Sequence, residues 1–364
     1  MILLLALLHA YIGVRLLAPL PLPAVLLGVA GLVVLFGLML AALPASRRRP
    51  APGWLGWAGL IAIGFFSSLL VLAVLRDALL LLAAAGGIEH DGTAASALAV
   101  PALAALATAI GFVNARRRPS VREVDVPIAG LPAPLHGFTI VQISDLHVGP
   151  TIRQRFVQSV VDAANRLEPD LTVITGDSVD GRVGELREHT APLGDLRARH
   201  GVFAVTGNHE YYSGAGAWIG EFRRLGMTVL MNEHVVLVHG GAPLVVAGVA
   251  DYSAHHFEPS HRSDPARALH GAPNAGPRLL LAHQPRSAEA AAAAGFDLQL
   301  SGHTHGGQFF PWNLFVGLQQ PFTAGLHRFG RLWVYISRGT GYWGPPKRLG
   351  APSEITRLTL VPAG

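Results

Sequence analysis

The chain has no cysteine and, in 364 residues, a single lysine, Lys347. The first absence excludes disulfides, thiolate metal ligands and a cysteine nucleophile. It does not assign a compartment, since proteins without cysteine occur in all of them. The other basic residues are arginines, and with the abundant alanine, glycine and proline this reads as coding bias rather than function. Charge is scarce as well: 14% of residues are charged against 51% hydrophobic, an imbalance a wholly soluble chain would find hard to hide. No glycine-rich phosphate loop of the Walker type is present, which counts against an ATPase.

The apolar excess is concentrated at the N-terminus. Four stretches, about 1–18, 23–43, 56–83 and 95–115, approach the ~20 residues a helix needs to cross roughly 30 Å of hydrocarbon. The first is interrupted by His9 and Arg15. It lacks the basic lead and small-residue cleavage site of a signal peptide, so it is read as a span. Arg47-Arg48-Arg49 follows the second stretch and Arg116-Arg117-Arg118 the fourth, whereas the loop after the third carries Glu89 and Asp91. Two spans between the arginine clusters put both on one side of a membrane, and the excess of positive charge makes that side the cytoplasm. Arg76 and Asp77, late in the third stretch, are expected to pair near the interface.

Residues 1–118 hold eight of the 28 basic side chains against Asp77, Glu89 and Asp91, which leaves 20 basic and 20 acidic residues in 119–364. The basic balance therefore belongs to the apolar region, and nucleic acid is not an expected partner. The expected organisation is a transmembrane region over 1–118, a linker over 119–136 that includes the irregular Pro127–Pro134, and a catalytic domain over 137–364.

Beyond Val121 short β-type runs alternate with amphipathic stretches. Strands are expected at Phe138–Ser144, Leu171–Thr175, Val202–Thr206, Leu244–Val249, Leu279–Ala282, Asp297–Ser301 and Leu332–Ser337. Helices are expected at Arg153–Arg166, Glu188–Arg199, Ala217–Leu225 and Ser287–Ala294. This alternation predicts an α/β domain of two packed sheets with helices outside.

Polar clusters sit where these strands run out: Asp145-Leu146-His147, Gly176-Asp177-Ser178-Val179-Asp180, Gly207-Asn208-His209-Glu210, an isolated His283, and Gly302-His303-Thr304-His305. Asp145 and His147, like His303 and His305, are two apart, so on extended backbone both side chains face the same way. Asp, Asn and His make a mixed oxygen and nitrogen donor set suited to manganese, iron or zinc. The preceding glycines relieve crowding where ligands converge.

In this order the clusters resemble the calcineurin-like metallophosphoesterases, whose pattern is DxH, GDxxD, GNH(E/D), an isolated H and GHxH. The flanking Ser144-Asp145-Leu146-His147, Gly302–Gln308 and Tyr335–Gly339 are most similar to the membrane-associated YkuE-type branch. The resemblance covers about 135–362 and implies a four-layer α/β/β/α sandwich, here behind a bundle of about four transmembrane helices. It implies two divalent metals, manganese first, with iron or zinc as alternatives. Asp145, His147, Asp177 and His305 would surround one metal, and Asp177, Asn208, His283 and His303 the other. A hydroxide between them would attack phosphorus, with His209 as general acid and Asp180 and Glu210 orienting ligands. Asp180 stands where purple acid phosphatases have Tyr, which disfavours that branch.

The resemblance implies hydrolysis of a phosphoester, as a phosphodiesterase or pyrophosphatase. A lipid-linked, nucleotide-linked or phospholipid substrate such as UDP-2,3-diacylglucosamine, in lipid A synthesis at a bacterial cytoplasmic membrane, is the specific expectation. Phe310 and Trp312, in the apolar stretch after His305, are expected either to pack on the domain or to dip into the bilayer interface. The alternatives are a nuclease and a scaffold protein with a vestigial metal site. His255, His256 and His261 read as a polar loop, and His189, His200, His234, His239 and His270 as solvated.

Overall fold

The computed structural model describes residues 2–45, 53–88 and 92–364, in two compact units. Arg47–Arg49, Glu89 and Asp91 lie outside the described residues.

The first unit is helical: α1 (Ile2–Leu17), α2 (Leu22–Ala45), α3 (Gly53–Ala85) and α4 (Thr93–Arg116). Among the described residues α2, α3 and α4 are long and apolar enough to cross a membrane; α1, at 16 residues, is shorter. Large apolar side chains such as Leu3, Leu27, Val33, Leu81 and Leu82 point outward all round these helices, as they would toward lipid. The polar residues are matched to one another. Asp77 accepts from Arg15 Nε and Tyr11 Oη, each at 2.7 Å. Arg76 is buried, donates to Thr93 O and Ser96 Oγ, and lies 3.3 Å from Asp77.

A later segment, Gly344–Leu349, also belongs to this unit. Within it the only lysine is buried. Lys347 Nζ donates to Gly64 O at 2.9 Å, Ser68 Oγ at 2.5 Å and Thr108 Oγ1 at 3.1 Å, so α3 and α4 supply acceptors for its three protons. Arg348 N donates to Gly111 O, and a Cβ on Gly111 would stand 2.5 Å from Lys347 Cγ. Helix α4 is therefore bare at the turn where the lysine stem crosses it.

The second unit carries two six-stranded sheets. The first contains β1 (Ser120–Ile128), β2 (Thr139–Ile143), β3 (Leu171–Thr175), β4 (Val202–Val205), β5 (Thr228–Val229) and the last strand, Glu354–Pro362, which inserts between β1 and β2. The second contains β6 (Glu233–His239), β7 (Ala242–Gly248), β8 (Arg278–Leu281), β9 (Leu298–Ser301), β10 (Gly325–Phe329) and β11 (Leu332–Ile336); Glu354–Pro362 is β12. Strands β2, β3 and β4 pair in parallel, as do β7, β8, β9 and β11.

Alternate residues of both sheets form one core: Ile140, Leu171, Val173, Phe203 and Val205 from the first, Leu244, Val246, Leu279, Leu281 and Leu300 from the second. The opposite faces are also buried, which parallel strands achieve only beneath helices. On the second sheet Ala247, Leu280, Val334 and Ile336 pack with Ala268 of α9 (Pro265–Ala268) and Ala288 and Ala291 of α10 (Ala288–Ala294). On the first-sheet side lie α5 (Gln154–Asn165), α6 (Val183–Thr190), α7 (Asn208–Ser213) and α8 (Ala215–Arg224), with α5 burying Phe156, Val157, Val160 and Val161.

The seven expected strands form within two residues of their predicted ends, and α5, α8 and α10 likewise. Two readings differ. Residues 119–136, read as a linker, contain β1, which pairs in parallel with β12; Val124, Val126 and Ile128 alternate inward while Arg122, Glu123 and Asp125 face out. The helix expected at Glu188–Arg199 runs instead over Val183–Thr190, because Pro192 cannot continue it and opens a 3₁₀ turn.

Leucine at position 111 should expel the Lys347 stem from α4. The detergent-solubilised full-length Gly111→Leu protein is expected to lose about 1–3 kcal/mol of stability. It should also be cut by trypsin beside Lys347 and Arg348, which are both buried in the parent chain. An unchanged digestion pattern would show that Gly111 is not part of the seat.

Candidate metal centre

The parallel strands β2, β3, β4, β8 and β9 all end at one edge of their sheets, and the five polar clusters follow them. The turns are tight. Asp145, His147, Asp177, His303 and His305 all have φ between 52° and 71°, a left-handed conformation that non-glycine residues rarely adopt. A Cβ on Gly207 would collide with Asp177 Oδ1 and one on Gly302 with Ser144 Oγ, so these two positions admit only glycine.

The ligand atoms form two groups that share the Asp177 neighbourhood. Asp145, His147 and His305 make one, and Asp177, His283 and His303 the other. His147 Nε2 lies 3.0 Å from His305 Nε2, and His305 Nε2 lies 3.4 Å from Asp145 Oδ1. His283 Nε2 lies 3.1 Å from His303 Nδ1 and 3.1 Å from Asp177 Oδ2. Two nitrogens each about 2.1 Å from one cation, at near right angles, would stand about 3 Å apart. Asn208 Oδ1 is buried without a hydrogen-bond partner, an orphaned acceptor of the kind a cation satisfies. The donor set and its spacing fit divalent cations.

His147, Asp177 and His209 form a third group with similar spacing. His209 Nδ1, however, lies 2.6 Å from Asp180 Oδ1, and its Nε2 stands 4.0 Å from Asp177 Oδ2. Asp180 Oδ1 also lies 2.9 Å from His147 Nδ1. One carboxylate oxygen thus holds two imidazoles with Nδ1 protonated, turning both Nε2 atoms away from it. The buried Glu210 carboxylate accepts from the amides of Gly207 at 2.6 Å, Ser178 at 2.7 Å and Asp177 at 3.0 Å, tying the ends of β3 and β4 together. Asp145 accepts from His303 N and Asp177 Oδ1 from His209 N, both at 2.9 Å, so ligands also hold each other's backbones.

Electrostatics follow from burial and crowding. Burial pushes Asp145 above the usual carboxylate range. Burial would raise Asp177 too, but the charges of His283 and His209 outweigh it and hold it well below. Burial and the charge of His283 drive His303 down to about 3, so it is a neutral imidazole. Burial disfavours charge on His283, yet Asp177 raises it well above its ordinary value. His209 is likewise depressed by burial and raised more by Asp177 and Asp180, to about 9. Glu210 is pushed up to about 7 by burial and by Asp177.

Sequence reading passed over several supporting residues. Asp251, buried after β7, accepts from Ser253 N and from Gln284, the neighbour of His283. It bears the same mark as the other clusters, a polar residue where an apolar strand ends. Ser144 donates to Asp145 Oδ2 at 2.6 Å. Gly341 N donates to Asp145 O, and a Cβ there would strike Leu146 O. His200 and His239, read as solvated, instead stand 3.0 Å apart and pack against Phe138 at the far end of the sheet.

The raised His283 fixes the sign of a pH effect: a cation must displace its proton before taking the nitrogen. Manganese binding is expected to release protons and to tighten as pH rises. Calorimetric titration in buffers of different ionisation heat measures this; equal heats in all buffers would show that no proton leaves.

Residues 138–307 match the family described as calcineurin-like phosphoesterase. The chain is 42% identical over 279 residues to a bovine transmembrane protein with metallophosphoesterase domain, covering 72% of this chain and 63% of that protein. It is 35% identical to an uncharacterized metallophosphoesterase of Aquifex aeolicus, covering 62% of this chain and 85% of the other. It is 30% identical to the uncharacterized metallophosphoesterase YkuE of Bacillus subtilis, covering 63% and 81%. The match thus spans less than two thirds of the bovine relative's length but most of the two bacterial ones. With the ordered ligand clusters on paired sheets, these likenesses identify the chain as a member of the calcineurin-like metallophosphoesterases, a family of hydrolases.

Proposed function

We propose that this chain is a membrane-anchored, metal-dependent phosphodiesterase or pyrophosphatase whose natural substrate carries a lipid. The observation that carries the reaction is the pair of ligand clusters meeting around Asp177, with the orphaned Asn208 carbonyl among the same loops. Asp145, His147, Asp177 and His305 would hold one divalent cation, and Asp177, Asn208, His283 and His303 the other, with manganese ahead of iron or zinc. Such a pair supplies an acidified water and positive charge for the oxygens on phosphorus.

The chain's own groups do the rest. His209, its Nδ1 committed to Asp180, presents Nε2 to hand a proton to the departing oxygen. The same Asp180 fixes the tautomer of His147, and Glu210 keeps Asp177 and Asn208 from drifting apart. The lipid assignment draws on the stretch after His305: Phe310, Trp312, Leu314, Phe315 and Leu318 are all exposed, the last by 82%. Of the two readings of this stretch, packing on the domain fits poorly with so much exposure, whereas contact with acyl chains fits well. A nucleotide-linked lipid such as UDP-2,3-diacylglucosamine suits these features. The positive-inside reading directs the catalytic unit to the cytoplasm of a bacterial cell.

With bis-p-nitrophenyl phosphate and added manganese, Asp177→Asn is expected to reduce hydrolysis to background and to lower bound metal below two per chain. A variant that loses activity but keeps two ions would refute the shared-ligand role. His209→Ala should cost 10²–10⁴-fold with alkyl leaving groups, the range of general acid catalysis, and far less with p-nitrophenol, which departs without a proton. Equal losses on both would remove His209 from that role. Replacing Phe310 and Trp312 by serine should impair turnover of a long-chain lipid ester while sparing the soluble chromogenic one. Parallel losses would count against lipid contact.

A further inference from the structure

Three large aromatic side chains stand exposed around His209. Tyr212, three residues on along α7, lies 5.1 Å away between ring centroids, on the same side of that helix. Trp343, from the loop after β11, lies 6.0 Å from the same imidazole. Phe257 packs 5.5 Å from Tyr212 and extends the row. Tyr212 is 62% exposed, Trp343 55% and Phe257 51%. Stability alone does not explain aromatic rings presented to solvent beside a buried polar centre.

Trp343 is exposed yet held firmly. The side chain of Gln308 takes both of its backbone groups: Trp343 N donates to Gln308 Oε1 at 2.8 Å, and Gln308 Nε2 donates to Trp343 O at 2.9 Å. Gln308 itself is buried and left-handed, φ 57°, three residues after His305. A strained, buried residue of the ligand loop is thereby used to fix the backbone that carries one exposed indole. A ring carried on backbone fixed before a ligand arrives loses less entropy when it binds.

We infer that Tyr212 and Trp343 form the leaving-group subsite, and that the leaving group carries a planar aromatic ring, an aryl group or a nucleobase. The inference rests on His209 as the acid, since the ring beside the acid is the ring attached to the oxygen that departs. Aromatic rather than aliphatic side chains make up this rim, whereas Leu314 and Leu318 belong to the separate stretch after His305. Stacking on such rings contributes about 1–3 kcal/mol per base and tolerates different bases. The step is ordinary hydrolysis: a water oxygen forms a new bond to phosphorus, the P–O bond to the ring-bearing group breaks, His209 gives the departing oxygen a proton, and the ring leaves as its alcohol or phenol.

The test uses the full-length protein in detergent with manganese. Phenyl methyl phosphate and 2-naphthyl methyl phosphate have leaving groups of similar acidity that differ by one ring. The parent should have a KM for the naphthyl ester about tenfold below that for the phenyl ester, in keeping with stacking. Trp343→Ala should raise the naphthyl KM about tenfold with kcat nearly unchanged, Tyr212→Ala should act in the same direction, and Trp343→Phe should recover most of the loss. Binding of free 2-naphthol, read by competition with a fluorescent naphthol analogue, should weaken alongside. A KM ratio and naphthol affinity indifferent to both alanine variants would overturn the inference. So would a loss confined to p-nitrophenyl 2-naphthylphosphonate, whose naphthyl ring stays on phosphorus while p-nitrophenol departs. Naphthol binding that depends on Trp343, in a protein that hydrolyses neither ester, would support the subsite while refuting the proposed reaction.

Discussion

Five of the seven candidate metal ligands sit on left-handed backbone, and the rest of the catalytic unit is arranged to keep them there. Each such residue costs of order 1–3 kcal/mol, so the conformation survives only where its surroundings over-determine it. Two devices supply that. The strands immediately before the ligands are buried on both faces, which fixes where each turn begins. Beyond the strands, carboxylates replace missing backbone partners: Glu210 binds three amides from two loops, while Asp145 and Asp177 each bind the amide of a residue in another cluster. The centre is therefore a network in which the candidate ligands are also struts, and losing one side chain loosens the backbone under another.

Legibility in the sequence follows from the same division. Central strands such as Leu171–Thr175 are unbroken runs of β-type residues, and they were readable because burial on both faces leaves no other composition. The ligand clusters were readable because each interrupts such a run with a polar residue that has no structural reason to be there. Edge strands were not. In Ser120–Ile128, charges alternate with valines, and in Glu233–His239 histidines stand at or near both ends, so each looks like a loop until a partner strand is known. Asp251 escaped for another reason: it ends a strand as the ligands do, but its partner Gln284 lies 33 residues away and nothing local announces it. The aromatic surround of His209 brings Trp343 to it from 134 positions away, a proximity that only the fold creates.

The composition that marked a membrane protein now divides cleanly. Outward-facing leucines and valines gather on α1 to α4, and among the described residues Arg15 and Arg76 both pair with Asp77. In the catalytic unit the exposed apolar side chains are fewer and gather mainly beside the candidate ligand loops.

Lys347 gives the anchor a different standing from an ordinary tether. Six residues that complete the helical unit are encoded between two strands of the catalytic sheets, so the genetic boundary at residue 117 is not the physical one. A fragment starting there would keep the tongue and lose its socket, with an ammonium and two prolines projecting where helices had been. Exchanging the helices for a foreign span would therefore also need a matching segment for Gly344–Leu349, far downstream in the chain.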